Sequence, residues 1–161
     1  MKPFAKFALC ALSTLVFLLT GSAIADEGYG KQKVVYHVNY DNPKAQAGAL
    51  RNIQNHINAV GAENLDLKVV LHGNGLAMLL EPSSLEKLEK FKHANATDEM
   101  TAQIAGLKGQ GVSFNVCANT IDGKKVDYMS DLYDVDEGDI VPSGVAELAK
   151  LQAMGYTYIK P

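Results

Sequence analysis

Cys117 closes the strand-like run Gly111-Val-Ser-Phe-Asn-Val-Cys117, and it is one of two cysteines in the chain. A thiol at such a place is either a small buried hydrophobe or a nucleophile whose thiolate attacks sulfur or carbon. His72 stands directly before Gly73-Asn-Gly75. With an ordinary pKa near about 6.5, its imidazole could hold the proton that a working thiol sheds, or simply hydrogen-bond the turn. Asn39, Asn74 and Asn119 follow the ends of three separate apolar runs and add amide donors and acceptors. Thiol chemistry is the one reactive capability present without a metal or cofactor motif.

The elements that must position these groups alternate between strand and helix. Lys33 to Asn39 is a short apolar run rich in β-branched residues, the pattern of a buried strand. Asp41-Asn-Pro43 punctuates it, and Ala45, Ala49, Ile53, Ile57 and Val60 then recur at helical spacing up to Gly61. Leu65 to Leu71 predicts a second strand. Short helical segments are expected over Gly75 to Leu80 and Ser83 to Phe91, with Ser83 and Ser84 as caps, and a longer helix over Thr97 to Lys108. Gly111 to Val116 is a third strand, Ile140-Val141 a fourth, and Tyr156 to Ile159 a last one after a helix capped by Ser143. The stretch from Cys117 to Asp139 shows no clear period. Such alternation predicts an α/β fold: a mostly parallel sheet of about five strands with helices on both faces. Ligands collect at the carboxyl ends of strands in such sheets, where Asn39, His72, Asn74, Cys117 and Asn119 all fall.

The N-terminus reads as an export signal. Lys2 and Lys6 precede the apolar run Phe7 to Leu19, and Ala23-Ile-Ala25 is a small-x-small cleavage site. The expected organisation is a cleaved signal peptide over 1–25, carrying Cys10 away, and a single domain over 26–161. The expected location is the periplasm. Loss of Lys2 and Lys6 takes the formal net charge from −3 to −5. That balance argues against a nucleic-acid partner and against an anionic membrane surface once the signal is removed. His37, His56 and His93 do not pair at metal-ligand spacing. His37, within a strand, and His56, within a helix, read as packing residues, so no metal and no cofactor is expected. Asp134, Asp136, Glu137 and Asp139 lack EF-hand order and its closing glutamate, and the acidic stretch 131–139 reads as a solvated loop.

The blocks Val69-Val-Leu-His-Gly-Asn-Gly75, Gly111-Val-Ser-Phe-Asn-Val-Cys-Ala-Asn-Thr120 and Val141-Pro-Ser-Gly-Val-Ala-Glu-Leu148 resemble the DsrE/DsrF-like family. The ending Leu151-Gln-Ala-Met-Gly-Tyr-Thr-Tyr-Ile-Lys160 is similar to its exported, single-domain branch. The resemblance implies a three-layer α/β sandwich and homo-oligomers, often trimers or hexamers. It also implies a sulfur carrier in sulfur oxidation or relay, with Cys117 as the persulfide-bearing residue and His72, Asn74 and Asn119 around it. Its partners would be sulfur donor and acceptor proteins or small sulfane sulfur compounds. A non-catalytic oligomeric module that binds a small ligand or partner beside a structural Cys117 is the alternative. A thiol-dependent redox enzyme is a third reading, and it would need an external resolving thiol.

Overall fold

The computed structural model describes residues 28–161, so the segment read as a signal peptide lies outside the described residues. Five strands form one sheet: β1 (Gln32–Val38), β2 (Leu65–Leu71), β3 (Ser113–Cys117), β4 (Ile140–Val141) and β5 (Thr157–Ile159). Their order is β4-β3-β2-β1-β5, and every pairing is parallel. Parallel strands need long crossovers, and helices supply them. These are α1 (Pro43–Val60), α2 (Asp98–Gly109), α3 (Ala118–Lys124), α4 (Tyr128–Asp131) and α5 (Gly144–Ala153).

Alternation along each strand divides the core into two layers. Val34, Tyr36 and Val38 of β1, with Leu67, Val69 and Leu71 of β2, belong to the larger cluster together with Leu50 and Ile53 of α1 and Ile104 of α2. Val35 and Val70 point the other way, into a smaller cluster with Leu148 and Leu151 of α5 and Tyr156. The sheet is therefore covered on both sides, with α5 as the helix of the second side.

The helix ends follow local chemistry. Asn42 Oδ1 accepts the Ala45 N–H (2.9 Å) ahead of Pro43, Thr97 Oγ1 caps α2, and Ser143 Oγ caps α5. Gly61, with φ of +88°, stops α1 as expected. The segments after β2 are 3-10 turns over Gly73–Met78 and Pro82–Lys87. Ser84 is not a cap. It is buried and donates to Asp131 Oδ1 (2.8 Å). Asp131 is itself 1% exposed, ion-paired to Lys87, and accepts the Asp127 N–H (2.9 Å). Burial opposes its charge, but Lys87 and the two hydrogen bonds outweigh that and hold its carboxyl below the usual range. The stretch without a clear period thus contains two short helices, the second of them tied down by a buried carboxylate. Asp134 and Asp139 pair with Lys108, at 2.9 and 3.7 Å.

Candidate functional site

Because β3, β2 and β1 are neighbours, their carboxyl ends lie side by side. The β2–β3 register pairs Leu71 with Val116, which sets His72 one step further, level with Cys117. Both residues face the side of the sheet that carries α5. The helix approaches them at Gly144, the first residue of α5. A side-chain carbon there would lie 2.9 Å from His72 Cβ and 3.3 Å from Cys117 Cβ. Glycine at the helix start is thus what lets α5 close over the two residues. Gly144→Ala is expected to destabilise the fold by roughly 1–3 kcal/mol and to change the native-state reactivity of Cys117. Thermal melting and thiol alkylation of the purified variant check both effects.

Cys117 is 5% exposed. It terminates β3 and precedes α3, a helix too short to offer more than local backbone N–H groups. Among the described residues it is the only cysteine, and it is unpaired.

His72 is joined to a second histidine. His37, on β1 with its ring on the same side of the sheet, brings Nε2 to 2.7 Å from His72 Nε2. The ring planes differ by 18° and the centroids are 4.7 Å apart. In a face-to-face stack the nearest atoms would be about as far apart as the centroids, so these rings meet edge to edge. Such a contact is an N–H···N hydrogen bond, and it holds a single proton. On its other edge, His37 Nδ1 is 2.6 Å from the Tyr158 hydroxyl on β5. Burial lowers the pKa of both rings, and Lys160 lowers both further. His37, which also feels His72, falls to about 4. The unfolded chain binds these protons first, so stability should fall as pH drops from about 6.5 toward about 4. Denaturant melts across that range, with His37→Asn flattening the slope, check this.

The other expected residues are more dispersed. Asn74 is exposed, and its Oδ1 accepts from Lys124 Nζ (3.0 Å). Asn119 is exposed on α3, and Asn39 is half-buried just after β1. A more central amide is Gln46 of α1, which is fully buried. Its Nε2 donates to Tyr40 O (2.6 Å) and Gly75 O (3.3 Å), and its Oε1 accepts from Asn95 Nδ2 (2.7 Å). Gln46 thus ties the loops after β1 and β2 together. Thr120 Oγ1 accepts the Gly73 N–H (2.9 Å) and ties α3 to the same loop. Sequence reading missed His37, Tyr158 and Gln46. The available signal for His37 was a titratable side chain within an otherwise apolar strand, and the parallel register then puts it on the same side of the sheet as His72. No three His, Cys, Asp or Glu residues converge as a metal site among the described residues.

The family model for the DsrE/DsrF-like family matches residues 32–161, from β1 to the last residue. The chain belongs to the DsrE/DsrF-like family. The fold is accordingly a sulfur-relay-related one. It is similar to MTH1491 of Methanobacterium thermoautotrophicum, a protein of unknown function, with 26% identity and a TM-score of 0.63 over 81% of this chain and all of that one. It is also similar in fold to YchN of E. coli, with 16% identity and a TM-score of 0.54 over 82% of this chain and 99% of that one. No curated protein matches the chain.

Proposed function

We propose that this DsrE/DsrF-like protein is a periplasmic sulfur carrier that holds sulfane sulfur as a persulfide on Cys117. The observation that carries the reading is the placement of Cys117 at the carboxyl edge of the sheet, level with His72 and packed against the glycine that begins α5. The step is a displacement. The Cys117 thiolate attacks a sulfane sulfur, an S–S bond forms at Sγ, and the bond from that sulfur to its former carrier breaks. The leaving group departs with the electron pair. A partner thiolate later attacks the outer sulfur and regenerates Cys117. No oxidant enters, because the sulfane sulfur keeps its oxidation level throughout. Family membership supports sulfur donors and acceptors as partners and a homo-oligomer as the working unit. The N-terminal signal pattern supports export.

The second reading, a module that binds a ligand or partner beside a packed cysteine, draws on the 5% exposure of Cys117. Native-state alkylation separates the two. A carrier thiol should be modified by iodoacetamide to completion without denaturant. A thiol that reacts only after unfolding would favour the binding module.

A further inference from the structure

The hydrogen-bond chain from Tyr158 through His37 to His72 has a consequence for the proton of Cys117. His72 Nε2 is committed to His37, which leaves Nδ1 as the ring nitrogen open to a proton arriving from the Cys117 side. That atom is bonded to the Cγ that lies 3.3 Å from the side-chain position missing at Gly144, as does Cys117 Cβ.

Two arrangements satisfy the chain with both rings neutral. In the first, His72 Nε2–H donates to His37 Nε2, His37 Nδ1–H donates to the Tyr158 oxygen, and the tyrosine O–H faces water. In the second, every proton has moved one place. Tyr158 donates to His37 Nδ1, His37 Nε2–H donates to His72 Nε2, and His72 carries its proton on Nδ1. Passing from the first to the second takes one proton in at His72 Nδ1 and gives one out at Tyr158. Tyr158 is 40% exposed, so its hydroxyl can hand that proton to water.

We propose that Tyr158, His37 and His72 form a proton relay that takes the thiol proton of Cys117 out to solvent, with His37 and Tyr158 as positioning residues acting through His72. The inference rests on the reading of Cys117 as a working thiol. Its balance is one S–H broken, each relay group losing one proton and gaining another, and one proton delivered to water beside Tyr158. The alternative, a thiolate–imidazolium pair, would put its positive charge on partly desolvated rings beside Lys160. The charged group acting on both rings is Lys160, and the titratable groups in contact with them are Tyr158 and each other. A relay lets the thiolate form without charging either ring.

The test combines two readouts on the purified protein. The first is the iodoacetamide rate of Cys117 against pH in the wild type, in Tyr158→Phe and in His37→Asn. Tyr158→Phe keeps the ring and removes the hydroxyl, so its fold should survive even if His37→Asn is weakened. Each folded variant is expected to react roughly a hundredfold more slowly near neutral pH, the lower end of the range ascribed to general acid–base assistance. The second is the ¹⁵N NMR signature of the imidazoles. As Cys117 ionises, the His72 proton should move from Nε2 to Nδ1 while neither ring becomes an imidazolium. Wild-type rates and pH profile in folded Tyr158→Phe, or an imidazolium signal appearing with the thiolate, would overturn the relay. Neither readout needs sulfur loading, so a carrier function that fails with the relay intact is distinguishable from failure of the relay itself.

Discussion

Gly75→Ala should unfold or severely weaken this protein, by roughly 3 kcal/mol or more. The 3-10 turn that follows β2 passes so close to the end of β1 that a side-chain carbon at position 75 would lie 2.0 Å from Val38 O and 2.7 Å from Val38 C. These are backbone atoms of a central strand, paired on one side to β2 and on the other to β5, and they cannot swing away as a flexible side chain would. The turn is held from its own side as well. The Gly75 N–H donates to His72 O (2.9 Å), and Gly75 O accepts from the buried Gln46. Relief would require separating the loop from the strand, which also moves His72. The expected shift is about 10 °C or more in thermal midpoint. Gly73→Ala, at a turn position with open space around it, should cost less, although its φ of +56° strains any other residue.

Gln46→Leu is the second large effect, at roughly 2–4 kcal/mol. The leucine fills a similar volume but leaves the carbonyls of Tyr40 and Gly75 and one N–H of Asn95 without their partner in a buried place. Burying polar groups unpaired costs far more than the net worth of the bonds they lose. Gln46→Glu should be worse at neutral pH, since a carboxylate would face two carbonyl oxygens, and it should recover in part when protonated in acid. Chemical denaturation of the three proteins at neutral and acidic pH checks the order. A Gln46→Leu protein as stable as wild type would mean that the two loops are held by something other than this amide.

Both predictions concern residues whose importance arises from contacts distant in sequence, and that separates what was legible in the chain from what was not. The strands and long helices were readable because each announces itself locally: β-branched runs for β1 and β2, a helical stripe with Asn42, Pro43 and Gly61 for α1, Thr97 and Ser143 as caps. Expecting a strand-end cluster required only the α/β class. Strand order was not readable, and β5, last in sequence, pairs with β1. Tyr158 therefore meets His37 across 121 positions. His37 sits within an otherwise apolar run and looks like packing until the parallel register sets it opposite Val70, two residues before His72. Gln46 carries no signal of its own, since its partners Tyr40, Gly75 and Asn95 lie in three different loops. The helices α3 and α4 span 7 and 4 residues, too few to display a period. They are fixed instead by the buried carboxylate of Asp131 and by the left-handed turn at Lys125.

The central claim is that Cys117 accepts sulfur, and intact mass tests it most directly. Mature protein purified without reductant would be weighed before and after incubation with polysulfide, beside Cys117→Ser treated in the same way. The expected result is a gain of whole sulfur atoms by the wild-type protein that reductant removes and that the serine variant never shows. An unchanged wild-type mass, or an equal gain by Cys117→Ser, would contradict it.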